Sequence, residues 1–304
     1  MSSILPQNHV IRSSPRSYEI ETIQRRSLHQ DKSISHQPEP ANYEPPTSTT
    51  ITKTGTSTRS VLNDPSLQST WALRAWVTSG CITVLISLAK SVTGVVDSNS
   101  WVGPLIACCI GYLLSDLTSG IYHWAIDNYG SAKTPVFGSQ IDIFQGHHKW
   151  PLSTTRHEFI INLHIPAHVV TFIVLPIDFL CHDATTLAFV GVFSGCIMFS
   201  QQFHAWAHGP KSKLPSIVLA LQDAGILISR SQHAAHHRPP YNNNYCVVSG
   251  LWNRYLDRYK VFELLERIIF FIFRVPPRSW SEPADSEWTE ETKTYTLESL
   301  PASH

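Results

Sequence analysis

Four long apolar stretches constrain this chain more than any other feature of its sequence. They cover about residues 75–96, 101–124, 159–177 and 184–203, and none contains more than one charged residue. A helix needs roughly 20 mostly apolar residues to cross about 30 Å of hydrocarbon. Inside a bilayer the backbone must satisfy its own hydrogen bonds, as it does in a helix. The sequence therefore predicts an all-α integral membrane protein with four transmembrane helices.

The basic residues near these stretches predict the orientation of the helices. The turns at 97–100 and 180–183 contain no Lys or Arg, whereas the other flanking segments contain several. Lys90 lies inside the first stretch, where its long stem allows the ammonium to reach the interface. Because Lys and Arg are retained on one side of a membrane, we expect both termini and the long loops 125–158 and 204–260 on the same side.

Two shorter apolar pieces, 214–228 and 261–273, are too short or too interrupted to span a bilayer. The second alternates acidic and basic residues with Phe and Ile, which is typical of an amphipathic helix in the membrane interface. The first is expected to be re-entrant or interfacial. The predicted architecture therefore adds interfacial helices to the four spans.

The two ends of the chain differ from its apolar middle. Residues 1–65 are rich in Ser and Thr, and the first eighteen contain Arg but no acidic residue. This composition predicts a disordered segment and favours an organellar transit peptide; an ordinary disordered tail is the alternative. Residues 276–304 are predicted to be a polar C-terminal tail.

Charge and cysteine content exclude several classes of protein. The chain has 23 Lys and Arg against 23 Asp and Glu, whereas a nucleic-acid-binding protein should carry a basic surplus. Its six Cys include no CxxC pair, which argues against a disulfide scaffold or a thiolate zinc site. The chain also has no glycine fingerprint for NAD(P) and no flavin motif. Electrons for a redox reaction would therefore come from a separate carrier.

Histidine is abundant, with 16 residues in the chain, and many lie beside the ends of the predicted spans on the basic side. Residues i and i+4, and i and i+3, share one face of a helix, so pairs at these spacings can reach one metal ion. The spacing predicts three such clamps: His204 with His208, His123 with Asp127, and His233 with His236 and His237.

The full set of candidate metal ligands is larger than these clamps. It comprises His123, Asp127, His147, His148, His204, His208, His233, His236 and His237, with His164 as an additional candidate inside the third span. These are too many ligands for one tetrahedral zinc, and they suit two metal ions. Neutral imidazole binds Zn, Cu, Fe or Ni; among these we favour two non-haem Fe reacting with O2. A His-rich metal transporter or sensor, and a zinc hydrolase, are the alternatives.

The motifs around these residues carry a family resemblance. They resemble those of the plastid fatty acid desaturase 4 family, which is related to the plasmanylethanolamine desaturases, at Tyr122–Asn128, Gln145–Pro151, Gln202–His208, Gln232–His237, Tyr241–Tyr245 and Pro277–Pro283. The resemblance identifies residues 70–275 as a membrane desaturase domain with a His-rich cap on one side. It implies that the nine candidate ligands hold a di-iron centre.

The same resemblance implies a specific reaction. Members of this family introduce a trans double bond at C3 of palmitate in chloroplast phosphatidylglycerol, using O2 and two electrons. It further implies that ferredoxin is the electron donor, that residues 1–65 are a chloroplast transit peptide, and that the protein spans the thylakoid or envelope membrane. The competing enzyme hypothesis is a plasmanylethanolamine-type desaturase of the endoplasmic reticulum.

Overall fold

The structure is a computed structural model that describes residues 68–149 and 151–281. Within these residues it consists of helices and connecting loops, without a β-strand. The predicted transit peptide at 1–65 and most of the predicted C-terminal tail lie outside the described residues.

Four long helices confirm the predicted membrane architecture. All four are long and apolar enough to cross a membrane. They are α1 (Trp71–Ser98), α2 (Val102–Asn128), α5 (Phe159–Leu180) and α6 (Ala184–His208). Each extends a few residues beyond the apolar stretch that predicts it. At the C-terminal end of α2 these extra residues include Asp127 and Asn128, and at that of α6 they include His204 and His208.

The shorter elements surround the histidine-bearing ends of the long helices. The helix predicted at 261–273 is present with those bounds, whereas only the middle of 214–228 is helical. The short helices are α3 (Gly138–His147), α4 (Ser153–Arg156), α7 (Ser216–Asp223), α8 (Arg230–His236), α9 (Asn253–Arg258) and α10 (Val261–Phe273), with 3₁₀ turns at Lys211–Lys213 and Arg278–Trp280.

The four long helices pack around α6, and α1 also packs on α5. Helix α6 contacts α1, α2 and α5, and Val77, Leu163 and Met198 form a shared apolar core between α1, α5 and α6. Helices α2 and α6 approach closely at Gly111, where a Cβ would lie 3.0 Å from the carbonyl oxygen of Phe189. The absence of a side chain at this position permits the close packing of α2 on α6.

The two short turns lie at the end of the bundle opposite the histidines. Asn99 adopts a left-handed backbone conformation that ends α1, and the Asp183 carboxylate accepts a hydrogen bond from the Thr186 amide at the start of α6 (2.7 Å). Lys90 reaches this end, where its ammonium donates to the carbonyl oxygens of Asp178 and Cys181. Its charge is therefore satisfied by carbonyl groups at the C-terminus of α5.

Candidate metal centre

The structure brings nine of the ten candidate ligands together at one end of the helix bundle. They come from four elements that are distant in sequence: α2, the end of α3, the end of α6, and α8. Their donor atoms form two groups, and within each group all of these atoms lie within 4.8 Å of one another.

The first group, which we call the five-histidine cluster, consists of His147, His204, His208, His233 and His237. Its rings meet through their Nε2 atoms. His147 Nε2 lies 3.0 Å from that of His204 and 2.9 Å from that of His208. His233 Nε2 lies 2.7 Å from His208 Nε2 and 3.1 Å from His237 Nε2. Five imidazole nitrogens thus point at one small volume.

The second group, the histidine–aspartate cluster, consists of His123, Asp127, His148 and His236. The carboxylate oxygen Oδ2 of Asp127 is at its centre. It lies 3.2 Å from Nε2 of His123, 3.3 Å from that of His148 and 3.4 Å from that of His236. All four side chains are buried. This cluster therefore contributes the one carboxylate among nine donors.

The pairs on α2 and α6 each supply a single cluster, as the helical spacing predicts, but the triplet on α8 divides. His233 and His237 lie four residues apart and join the five-histidine cluster, while His236 points into the other cluster. The adjacent residues His147 and His148 divide in the same way. The expected third clamp is therefore wrong in detail: α8 lies between the two clusters and serves both.

Several buried donor atoms have no hydrogen bond among the described residues. They include Nε2 of His123 and both carboxylate oxygens of Asp127, although these side chains lie next to each other. A neutral imidazole carries one N–H, so hydrogen bonds cannot account for five converging Nε2 atoms. Separations of 2.7–3.4 Å between neighbouring donors match ligands that are each about 2.0–2.2 Å from a common ion. Both clusters therefore fit a metal ion.

The protonation state of the histidines also suits metal binding. Burial, reinforced by the neighbouring imidazoles, holds the pKa of His147 and of His233 well below the usual value. Burial lowers the pKa of His237 in the same way. These rings are thus neutral at physiological pH, which is the form that binds metals.

Backbone carbonyl groups orient two rings of the histidine–aspartate cluster. Nδ1 of His123 lies 2.9 Å from the carbonyl oxygen of Tyr245, and Nδ1 of His236 lies 2.7 Å from that of Asn243. An Nδ1–H donated to a carbonyl leaves Nε2 free for the metal and fixes the direction of the ring. The segment 243–245 therefore positions two ligands without contributing a side chain to the cluster.

Asp116, which is not among the predicted site residues, holds the loop at 249–252 that follows this segment. It is fully buried in α2, and its carboxylate accepts hydrogen bonds from the amides of Ser249 (2.8 Å), Gly250 (3.0 Å) and Trp252 (3.3 Å). The signal was present in the sequence, because an aspartate inside an apolar span is costly unless it has a defined role. Asp116 thereby attaches the loop after α8 to the membrane bundle.

His164 lies outside both clusters. It sits in α5, where its Nδ1 is 2.8 Å from the carbonyl oxygen of Ile161, one turn earlier. Its ring centroid lies 6.3 Å from that of His168, which makes a similar contact to the carbonyl of His164. The structure therefore places His164 in a local arrangement on α5, away from the nine converging ligands.

Comparisons with known proteins agree with this arrangement. A model of the lipid desaturase domain matches residues 112–280. The chain is 60% identical over 224 residues to fatty acid desaturase 4, chloroplastic, of Arabidopsis thaliana, covering 74% of this chain and 69% of that protein. It is 53% identical over 232 residues to fatty acid desaturase 4-like 1, chloroplastic, of the same plant (76% and 78% covered). Plasmanylethanolamine desaturase of Myxococcus xanthus is 29% identical over 208 residues (65% and 71% covered). No solved structure matches the chain.

The role of Asp116 can be tested by removing its carboxylate. Asp116→Ala leaves three buried amides without an acceptor, and each unsatisfied group costs about 1–3 kcal/mol. We expect the free energy of unfolding to fall by about 3 kcal/mol or more, and amide hydrogen exchange at 245–252 to accelerate. Asp116→Asn keeps one acceptor oxygen and should be milder. The matched control is Asp97→Ala, at an exposed position in the last turn of α1, which should change stability by less than about 0.5 kcal/mol. Equal effects at the two positions would contradict the anchoring role.

Proposed function

Because this chain belongs to the lipid desaturase family and is an oxidoreductase of the membrane desaturase type, we propose that it introduces a trans double bond at C3 of the palmitoyl chain of phosphatidylglycerol. The observation that carries the proposal is the pair of buried clusters at the ends of α2 and α6. The similarity at 60% identity to a chloroplastic fatty acid desaturase 4 favours this substrate over the ether lipid of the more distant plasmanylethanolamine desaturases.

The proposed cofactor is a pair of non-haem iron ions, one in each cluster. The ligands would be the nine converging residues, without His164. When bound, the iron pair would supply the O2-dependent oxidation of an unactivated C–H bond, for which imidazole and carboxylate donors are suited. The protein itself keeps the imidazoles neutral, orients His123 and His236 through backbone carbonyls, and excludes bulk water by burying the ligands.

The chain is a multi-pass chloroplast membrane protein, as its four apolar helices and its chloroplastic relatives indicate. We infer that ferredoxin supplies the two electrons, that residues 1–65 act as a transit peptide, and that the membrane is the thylakoid or the envelope. A metal transporter is less consistent with the site, because transporters place their ion sites near the midplane of the spans, whereas these clusters lie at helix ends.

The reaction can be tested by lipid analysis after expression in a host that contains plastid phosphatidylglycerol. We expect trans-3-hexadecenoate to appear with the wild-type protein. His236→Ala removes a ligand and should lower product formation more than roughly 100-fold. His182→Ala, at an exposed position in the turn opposite the clusters, should retain activity. A vinyl ether product, or no product from a folded and iron-loaded protein, would contradict the proposed reaction.

The assignment of one ion to each cluster can be tested by metal analysis of the purified protein. We expect two Fe per chain in the wild type. His204→Ala should reduce binding in the five-histidine cluster, and His123→Ala in the histidine–aspartate cluster, so that each variant retains about one Fe. His164→Ala should retain two. Zinc in place of iron would favour the hydrolase hypothesis, and loss of iron on His164→Ala would restore that residue as a ligand.

The transit-peptide proposal can be tested by fusing residues 1–70 to a fluorescent protein in plant cells. We expect chloroplast import and cleavage of the fusion, because the segment begins with a Ser-rich and Arg-bearing sequence. The control is the same fluorescent protein fused to residues 66–70 alone, and it should stay in the cytosol. Labelling of the endoplasmic reticulum by the first fusion would favour the plasmanylethanolamine-type alternative.

A further inference from the structure

The segment after the interfacial helix α10 returns to the metal centre. We call residues 274–281 the C-terminal strap. The amide of Ser279 donates to the Oδ1 atom of Asn128 (3.1 Å), the residue next to the ligand Asp127. The indole N–H of Trp280 donates to the buried carboxylate of Glu266 on α10 (3.0 Å). These two bonds fix the 3₁₀ turn Arg278–Trp280 against the end of α2.

Glu266 makes this attachment specific. It is buried although it belongs to an amphipathic helix, and its other oxygen accepts the indole N–H of Trp124 on α2 (3.1 Å). Burial raises the pKa of Glu266. A buried carboxyl group that joins two indoles stabilises one arrangement of α2, α10 and the strap. The strap therefore has a defined position relative to the clusters.

The position of the strap places Arg278 beside the histidine–aspartate cluster. Arg278 lines a narrow cleft together with two of the ligands, Asp127 and His148, and with Tyr241. The ring of Tyr241 stacks on that of His148, with 4.6 Å between the centroids. Arg278 is only partly buried, so the cleft joins the ligands to the outer surface at a guanidinium group.

The cleft opens at the depth of the lipid headgroups. Helix α10, which leads into the strap, exposes the large apolar side chains of Ile268, Phe271 and Ile272. Such a face inserts at the boundary between headgroups and acyl chains. Trp280, next to Arg278 in the 3₁₀ turn, is 49% exposed, and tryptophan is enriched at that level. Arg278 therefore lies where lipid phosphate groups are found.

The proposed reaction requires a phosphate group close to the metal centre. In a phospholipid, C3 of an acyl chain is separated from the phosphorus atom by about seven bonds, which span at most roughly 10 Å. Whenever C3 reaches the clusters, the phosphodiester must lie beside them. Guanidinium binds phosphate oxygens through two parallel charge-assisted hydrogen bonds, and Arg278 is the cation that lines this cleft in the described part of the chain.

We propose that Arg278 binds the phosphodiester of the lipid substrate at the rim of this cleft and so sets which carbon of the acyl chain reaches the metal centre. This inference rests on the proposed function for the identity of the reacting carbon. Arg278 is a positioning residue: it contacts the substrate at its headgroup and takes no part in the oxidation. The strap, through Asn128 and Glu266, holds it at a fixed distance from the ligands.

The contact between Arg278 and the phosphate can be tested by comparing how the wild type and its variants bind two lipids, one with the phosphate and one without it (a binding cycle). Native mass spectrometry of the full, iron-loaded chain in detergent would measure binding of dipalmitoyl phosphatidylglycerol and of dipalmitoylglycerol, which lacks the phosphate. We expect Arg278→Gln to weaken binding of the phospholipid about tenfold or more and to leave dipalmitoylglycerol binding unchanged. Arg278→Lys, which keeps the charge, should lie between. Equal weakening for both lipids, or no weakening for either, would overturn the inference.

The matched control is Arg274→Gln. Arg274 is exposed on the same segment and lies over the rings of Phe270 and Phe271, outside the set that lines the cleft. The Arg274→Gln variant should bind both lipids as the wild type does. If its affinity for the phospholipid fell as much as that of Arg278→Gln, the effect would be one of general surface charge, and the assignment would be overturned. Iron content and melting temperature of each variant report whether it is folded.

Product analysis separates this inference from the proposed function. A wild-type protein that binds phosphatidylglycerol but forms no unsaturated product contradicts the proposed reaction, whereas the binding cycle alone decides the phosphate contact. With an active enzyme, we expect Arg278→Gln to raise KM about tenfold and to spread the double bond over carbons adjacent to C3. Unchanged KM together with unchanged double-bond position would contradict the positioning role.

Discussion

Nine donor atoms from four separate segments converge on two small volumes, and the rest of the structure depends on that convergence. Neutral imidazole nitrogens 2.7–3.2 Å apart cannot all be joined by hydrogen bonds, since each ring has one N–H. A cation bound at each centre would replace this repulsion between lone pairs with attraction. The candidate ligands come from α2 and α6 of the bundle and from the short helices α3 and α8. Metal binding would therefore contribute directly to the free energy with which the cap, the short helices and loops at this end of the bundle, folds onto the bundle.

A layer of buried polar contacts holds the cap on the bundle around the two clusters. Asp116 accepts amides of the loop at 249–252, while Asn253 exchanges two hydrogen bonds with the backbone of Cys246. The carbonyl of Tyr245, the residue directly before Cys246, orients His123. The loop thereby links the carboxylate of Asp116 to His123, a candidate metal ligand two turns further along α2. Ligands fixed in this way would hold a bound metal without having to rearrange.

The sequence predicted the spans and the helical pairs because both depend on local periodicity. Uncharged runs define the membrane helices, and the i, i+4 spacing of His204 and His208 defines a shared face whatever surrounds it. The sequence does not predict that the adjacent residues His147 and His148 join different clusters, because this depends on where α3 ends relative to α8. Asp116 was missed for a related reason: its partners lie 133 to 136 residues away, and no local pattern indicates which buried acceptor meets which loop.

The position of the clusters along α2 and α6 also bears on the chemistry. The ligands on α2 and α6 lie in the last turns of these helices, so membrane helices of this length would place the centre near the membrane surface. Desaturases that act in the middle of an acyl chain must withdraw many carbons from the bilayer, whereas carbons next to the headgroup reach this level with little displacement. The bond proposed here, at C3, is of this second kind and lies next to the headgroup. A site at this depth, with a guanidinium at its rim, is suited to that class of bond.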